Sequence, residues 1–289
     1  MATVQPGDIV QLVGHDKRYF IFRVEAGGTL HTNRGVVQHD DLIGRHWGIE
    51  VFSHLRHPFF LLIPSTDDLI RDLKRSSQIM YPKDIGFVLM KMAIHPGVRV
   101  VEAGTGSGGM TTVLAQVVGA GGHIFSYDIR PDMQNLARKN LDRVGLAERV
   151  TLCLRDIAEG FDETDVDALF LDVPNPWDYV AQARQALKGG GFFGSILPTT
   201  NQVSDLLVAL RREGFDFIEV CEVLIRYYKA VPARLRPVDR MIAHTGYLVF
   251  ARPVTADLPV DGAVEPGEEE ALPDDGGQDP GLGEGSAGD

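Results

Sequence analysis

Apolar and polar positions alternate in short bursts through residues 1–63, at 8–13, 19–24 and 29–31, and each burst is closed by paired glycines or a polar turn. A period of two with frequent turns predicts half-buried strands, so this stretch reads as a small β domain ending in a strand at 59–63. Pro64 punctuates it. Ser65 or Thr66 then caps a helix running to 75, with Asp67 and Asp68 in the first turn, where the helix dipole favours negative charge. Residues 84–94 predict a second helix, stopped by Pro96 and Gly97.

From there the pattern repeats. Apolar runs at 98–102, 123–128, 150–154, 168–172 and 191–197 predict strands, and amphipathic stretches at 107–118, 131–144, 177–187 and 201–212 predict the helices between them. Near-continuous apolar strands alternating with helices predict an α/β fold with a mostly parallel sheet covered on both faces. Two further apolar runs, 217–227 and 246–251, have no clear helix between them and predict an antiparallel hairpin at a sheet edge. Residues 228–245, rich in Arg and Pro, read as a loop. The layout expected is therefore a small N-terminal β domain (1–64), an α/β domain (65–254) and a tail (255–289).

The densest chemical signal lies at the first strand–helix junction, VVEAGTGSGG at 100–109. Gly104, Gly106, Gly108 and Gly109 follow an acid, Glu102, at the strand end. Glycine permits positive φ and close approach of backbone to a ligand. Gly104, Gly106 and Gly109 fit the G-x-G-x-x-G turn of dinucleotide binders. They equally fit the E-x-G-x-G-x-G turn of S-adenosylmethionine (AdoMet) binders. Two features favour AdoMet: Glu102 can pair with the cationic methionine end, whereas it would repel a pyrophosphate, and no second phosphate-binding group stands nearby.

In parallel sheets the ligand lies beyond the carboxyl ends of the strands, which makes each strand's last residue informative. Asp128 ends the second strand, where an acid takes both hydroxyls of a ribose. Asp156 follows the third, where a carboxylate can accept from an adenine amine with Ile157 as an apolar wall; a capping or turn role fits it as well. The fourth strand ends in LFLDVPNPW at 169–177, with Asp172 at its carboxyl end, two prolines stiffening the exit and Trp177 offering a flat surface. A nicotinamide-dependent dehydrogenase would place a proton-transfer group here, and none is present.

Composition bounds the class. The chain has 289 residues, 44% hydrophobic and 24% charged, as globular proteins have. No apolar run reaches the ~18–20 residues of a membrane helix and no signal-peptide pattern opens the chain, so a cytoplasmic location is expected. Cys153 and Cys221 sit in apolar runs and read as buried free thiols. His54 and His57 have no further ligand set beside them, so no metal site is expected. The net charge of −12 argues against a nucleic-acid partner until it is located: eleven acidic residues and no Lys or Arg lie from Thr255 onward, leaving 28 basic against 29 acidic residues before it. A Gly/Pro/Asp/Glu tail of that kind cannot bury enough apolar surface to fold. Within the body, Arg226, Lys229, Arg234, Arg236 and Arg240 interleave with Tyr227 and Tyr228, Arg211 and Arg212 end a helix, and Lys74, Arg75 and Lys83 precede the glycine turn. Such residues suit phosphate contacts.

Taken together, Tyr81–Pro82–Lys83–Asp84, Glu102–Gly109, Ser126–Tyr127–Asp128, Phe170–Leu171–Asp172 and Leu197–Pro198 with Gln202 resemble the single-subunit bacterial and archaeal tRNA (adenine-N1)-methyltransferases that act at position 58 of the T-loop. The resemblance covers most of residues 8–252. It implies a class I methyltransferase fold (Rossmann-like, seven-stranded), AdoMet as methyl donor, tRNA as substrate and a homotetramer. Carried over by position, it implies donor contacts from Met80, Glu102, Gly104, Ser107, Gly108, Gly109, Asp128, Met133, Asp156 and Ile157, with Thr105 and Gly106 in the same turn. It implies Asp172 as the catalytic carboxylate, also touching the donor, and Tyr81 near the transferred methyl. The acidic tail departs from the family pattern, as does Ile196, where some members carry a tyrosine near the target base; Trp177 or Tyr81 then remains as the aromatic platform. A methyltransferase for another substrate class and a noncatalytic tRNA-binding subunit of the same fold are the competing readings.

Overall fold

The computed structural model describes residues 2–75 and 78–255. Six short strands come first: β1 (Ile9–Gly14), β2 (Tyr19–Arg23), β3 (Thr29–Thr32), β4 (Gly35–Gln38), β5 (Glu50–Phe52) and β6 (Pro58–Leu62). Four form an antiparallel sheet in the order β2-β1-β6-β5, and β3 and β4 make a separate hairpin. The alternation in the sequence is the burial pattern. Val10 and Leu12 on β1 and Phe59 and Leu61 on β6 are fully buried, together with Val24, Val37 and Leu42. Strands β4 and β5 are not among those the alternation predicts.

Helix α1 (Thr66–Arg71) starts at Ser65, whose hydroxyl accepts from the Asp68 N–H (3.1 Å) while the Asp68 carboxylate accepts from the Ser65 N–H (2.9 Å). This reciprocal cap fixes the start. The helix ends at Arg71, four residues before the expected stop. Helix α2 (Pro82–Lys91) follows, with Pro82 at its first position.

Seven strands build the main sheet. In chain order, β7 (Arg99–Ala103), α3 (Gly109–Val118), β8 (His123–Asp128), α4 (Pro131–Val144), β9 (Val150–Leu154), β10 (Val166–Leu171), α5 (Val180–Ala186), β11 (Leu187–Leu197), α6 (Thr200–Arg212) and β12 (Phe215–Cys221) lead to a two-residue hairpin, β13 (Tyr228–Lys229) with β14 (Arg236–Pro237), and then β15 (Tyr247–Pro253). The sheet order is β12-β15-β11-β10-β7-β8-β9. The strands from β11 to β9 run parallel, and β15 is antiparallel to both of its neighbours. The expected antiparallel pair is therefore present, but β15 is inserted between β12 and β11, and only β12 is at the edge. The run expected to continue to 227 stops at Cys221, after an irregularity between Asp216 and Glu219. Helix 177–187 begins instead as a 3-10 turn, Pro176–Tyr179, before α5, and β11 starts earlier than expected, at Leu187.

Both faces of this sheet are buried. Val100, Ile124, Ala168 and Phe170 face a core made with α2 and α3, while Val101, Leu169, Leu171 and Val249 face one made with α5 and α6. Alternation along β7 therefore aims Glu102 at the α3 side, along with Val100. The chain runs outward from β7 through β8 to β9 and returns on the other side as β10. That reversal opens a crevice beyond the carboxyl ends of β7 and β10. The parallel register pairs Glu102 with Phe170 and Ala103 with Leu171, so the next residues, Gly104 and Asp172, face one another at the crevice floor. The expected acidic tail lies outside the described residues, apart from Thr255.

Candidate functional site

Three strand ends converge at this crevice. The Asp172 N–H donates to the Ala103 carbonyl (2.8 Å), and the Gly104 N–H donates to the Tyr127 carbonyl (2.9 Å). Gly104 has φ +99°, and a Cβ there would overlap the Asp172 carbonyl oxygen. Gly108, at φ +82°, begins α3 and lies against Ala137 of α4, where a Cβ would stand 3.1 Å from the Ala137 Cβ. The turn thus needs glycine for two separate close approaches.

Below the turn lies a buried hydroxyl–carboxylate network. Glu102 is 1% exposed, and its Oε2 accepts from the Thr111 hydroxyl (2.6 Å) and the Ser126 hydroxyl (2.7 Å), the latter in turn 2.7 Å from the Thr105 hydroxyl. Burial is the main cause that pushes Glu102 up to about 7, and the nearby Asp172 and Asp128 charges add to it against the two hydroxyls. The Ser107 hydroxyl is buried with no hydrogen-bond partner among the described residues.

Asp128 is held differently. Its carboxylate accepts from the Gly106 N–H (3.0 Å), the Arg130 N–H (2.9 Å) and the Arg130 guanidinium (3.1 Å from both Nε and Nη2). Burial raises its pKa, but these bonds outweigh it and leave the group below its ordinary value. Asp156 accepts from the Ala158 N–H (2.9 Å) through Oδ1, which is the capping role left open in the sequence, and its other oxygen remains for a ligand.

The crevice holds two adjoining clefts. The larger, about 720 Å³, is lined by Gly104, Gly106, Asp128, Asp156, Ile157 and Asp172, and also by Arg130, Tyr179 and Gln202. That volume is in the range of small-molecule sites. The smaller, about 420 Å³, is lined by Met80, Tyr81, Asp84, Leu197, His244 and Thr245. Gln78, Asp172, Ile196 and Pro198 belong to both. Asp172 is therefore the acidic group at the junction. Its carboxyl is exposed to the clefts, has no hydrogen-bond partner among the described residues, and is pushed up to about 6 by the desolvation that the surrounding protein imposes. A carboxylate in that state is a strong acceptor for an N–H presented from either side.

The donor set fits AdoMet. Two acids with raised pKa, the buried Glu102 and the crevice-facing Asp172, stand at neighbouring strand ends with no cation against them, Asp128 lines the cleft at the end of β8, and Ile157 supplies an apolar wall.

The remaining expected site residues divide by position. Glu102, Thr105, Ser107, Gly108, Gly109 and Met133 lie under the cleft wall rather than on it; Met133 is buried on α4. Trp177 packs half-buried against the α5–α6 core and lines neither cleft, which leaves Tyr81 as the aromatic at the smaller one. Both cysteines are free thiols, but half-buried rather than buried. Among the described residues no cluster of three metal-ligating side chains exists, and no helix is long and apolar enough to cross a membrane.

Lys83 departs from the expected basic surface. Its side chain is 9% exposed, and the ammonium donates to Asp84 Oδ1 (2.7 Å), the Val223 carbonyl (2.7 Å) and the Thr245 hydroxyl (2.5 Å). Thr245 in turn donates to Asp84 Oδ2 (2.8 Å). His244 places Nδ1 2.5 Å from Glu222 and Nε2 3.1 Å from the Pro198 carbonyl. Nothing in the local sequence around 244–245 signals this; the partners lie up to 162 positions away.

Comparison with known proteins was consistent along the whole body of the chain. Residues 58–236 match the family described as the tRNA methyltransferase complex GCD14 subunit, and residues 3–51 match one described as TrmI-like N-terminal. The tRNA (adenine(57)-N(1)/adenine(58)-N(1))-methyltransferase TrmI of Methanocaldococcus jannaschii is 37% identical over 263 residues, 82% of this chain and 91% of the relative. The Thermus thermophilus tRNA (adenine(58)-N(1))-methyltransferase TrmI is 32% identical, covering 86% of this chain and 97% of its own. Among solved structures, one titled a SAM-dependent O-methyltransferase from Thermotoga maritima is 46% identical with a TM-score of 0.78, covering 89% of this chain and 97% of that one. The Aquifex aeolicus tRNA (m1A58) methyltransferase TrmI is 31% identical with a TM-score of 0.72, covering 88% and 100%.

Proposed function

We propose, from the chain's membership of the GCD14 tRNA methyltransferase family, that it transfers the methyl group of AdoMet to N1 of adenine 58 in the T-loop of tRNA. The observation that carries this reading is the junction at Asp172, an unpartnered carboxylate shared by a cleft suited to the donor and a cleft suited to a flat acceptor.

AdoMet, when bound, supplies a methyl carbon made electrophilic by its cationic sulfur. Neutral adenine N1 carries a lone pair and no proton, so attack needs no strong base. The ring becomes cationic as N1 is alkylated. Asp172, accepting a hydrogen bond from the exocyclic amine, stabilises that developing charge, and fixed geometry supplies the rest. Asp128 would take the ribose hydroxyls in exchange for its bonds to Arg130. Gly104 and Gly106 would line the methionine end, with Glu102, Thr105, Ser107, Gly108 and Gly109 shaping the turn beneath it; Asp156 and Ile157 would border the adenine over the buried Met133, Met80 would contact the donor from the smaller cleft, and Tyr81 would flank the acceptor. A base stacked within folded RNA would reach the smaller cleft by flipping out of its stack.

In this reading residues 1–64 form the accessory β domain and 65–254 the transfer domain, the enzyme works in the cytoplasm on tRNA, and it assembles as a homotetramer. Labelled AdoMet and two tRNA transcripts test the reaction. Label should enter a transcript with adenine at 58 and not one with guanine there; equal labelling of both would reject the assignment.

A further inference from the structure

Much of the smaller cleft's wall is built by two segments distant in sequence. Met80, Tyr81 and Asp84 come from the start of α2, and His244 and Thr245 come from the approach to β15. We propose, on the basis of the function just stated, that His244 and Thr245 form a clamp that sets this wall for the acceptor base, with Lys83 and Asp84 as the positioning residues that receive it.

Each end of the clamp is fully engaged. On the α2 side, Asp84 is 0% exposed, with one oxygen taken by Lys83 and the other by Thr245. The Lys83 ammonium has three protons and three acceptors: Asp84, Thr245 and the Val223 carbonyl. On the β11 side, His244 reaches the Pro198 carbonyl through one ring nitrogen and Glu222 through the other. The loop that leaves β12 is thus tied at Val223, at Glu222 and again at residues 244–245.

A buried ion pair is a poor source of stability, because desolvation offsets the attraction, and apolar residues of similar size do as well. What it does supply is a unique register. Here the register is between Tyr81, two residues before Lys83, and His244, next to Thr245. Pro198, like Asp172, lines both clefts. The clamp therefore fixes the distance across which a base is held against Asp172. It also joins that distance to the segment carrying Arg226, Arg234 and Arg240, so docking of the loop on RNA and closure of the base cleft involve the same bonds.

The test uses the full chain, AdoMet and tRNA transcript, with Thr245→Val, Thr245→Ser and His244→Ala. Thr245→Val should lower kcat roughly 10- to 100-fold, as a misplaced reactant does, while AdoMet affinity by titration stays within about twofold of wild type. Thr245→Ser should restore kcat, because the hydroxyl alone makes the bridge. His244 is solvent-exposed, so His244→Ala keeps the fold and should raise KM for tRNA without changing AdoMet affinity. Wild-type kcat and KM in Thr245→Val, or a Thr245→Ser protein as impaired as Thr245→Val, would overturn the clamp. If Thr245→Val does not fold, an unchanged His244→Ala overturns it instead. Absence of methyl transfer by the wild type would sink the functional reading itself, which separates the two failures.

Discussion

Gly104 and Asp172 touch through their backbones: a Cβ built on Gly104 would overlap the Asp172 carbonyl oxygen and stand 2.9 Å from its carbonyl carbon. The first glycine of the turn is therefore as much a requirement of the neighbouring strand as of any ligand. Gly104→Ala must also adopt φ +99°, a conformation costing about 1–3 kcal/mol outside glycine. The variant should lose both AdoMet binding and turnover, since the displaced residue is the junction acid. Titration calorimetry and a methyl-transfer assay on the same sample check this; loss of one with the other intact would contradict it.

Asp172 itself separates turnover from binding. Asp172→Asn removes the charge and leaves the shape, and should lower kcat on the order of 10²- to 10³-fold, the usual cost of one electrostatic stabiliser, with a small change in AdoMet affinity. The pH dependence has a definite sign. Desolvation by the surrounding protein raises this carboxyl to about 6, so below that pH it is protonated and offers the ring cation no negative charge; kcat should rise with pH through about 6 and level above it. Asp172→Asn should lose that limb. A wild-type profile flat between pH 5 and 7 would contradict the assignment.

Glu102 makes the opposite separation, a stability effect without an exposed surface. Its folded pKa is raised from 4.5 to about 7, so the unfolded chain binds fewer protons in that window. The group's contribution is fully favourable below 4.5 and is lost as pH rises to about 7, a swing of about 3 kcal/mol. Glu102→Gln keeps an acceptor for Thr111 and Ser126 and removes the charge. The melting temperature of this variant minus that of wild type should grow from pH 4.5 to 7 and then stay constant; a difference independent of pH would show that the buried acid carries no such penalty.

Asp128 should behave as a binding residue. Asp128→Ala is expected to weaken AdoMet by roughly ten- to a hundredfold, the worth of hydrogen bonds to a charged group, with kcat at saturating donor nearly unchanged. Its lowered pKa makes this affinity insensitive to pH above its ordinary titration range. Titration calorimetry across pH 6–8 is the check.

How much of this was legible beforehand follows from sequence separation. The strand-end acids Glu102, Asp128 and Asp172 could be placed because each follows an apolar run at the position where parallel strands deliver residues to a common edge. Their states could not be read. Asp156 reads equally as a cap or a ligand group, and Arg130 stands two positions from Asp128, yet a sequence shows neither which carboxylate oxygens those neighbours take nor that Asp172 stands unpartnered. Lys83 reads as surface charge in the sequence because its partners, Val223 and Thr245, are 140 and 162 positions away. Among the strands, β15 hid its place inside the sheet, since an apolar run looks the same at an edge as one strand in. The apolar run at 217–227 overstates the strand because it does not show that pairing with β15 ends at Cys221.

The basic loop gives a prediction about RNA. Lys229 and Arg236 are both spent on Asp239 (2.8 Å each), whereas Arg234 and Arg240 have no partner among the described residues. Arg234→Ala and Arg240→Ala should each reduce the slope of log affinity for tRNA against log salt by about one, whereas Lys229→Ala should change it less. Fluorescence anisotropy at four or five salt concentrations measures the slopes; equal slopes in all variants would remove this surface from the interface.

Nucleoside mass spectrometry of tRNA after reaction with isotopically labelled AdoMet tests the central claim most directly. The label should appear as 1-methyladenosine mapping to position 58, at stoichiometric level with wild type and near background with Asp172→Asn. Label on a ribose hydroxyl, or 1-methyladenosine formed equally well by Asp172→Asn, would contradict the account.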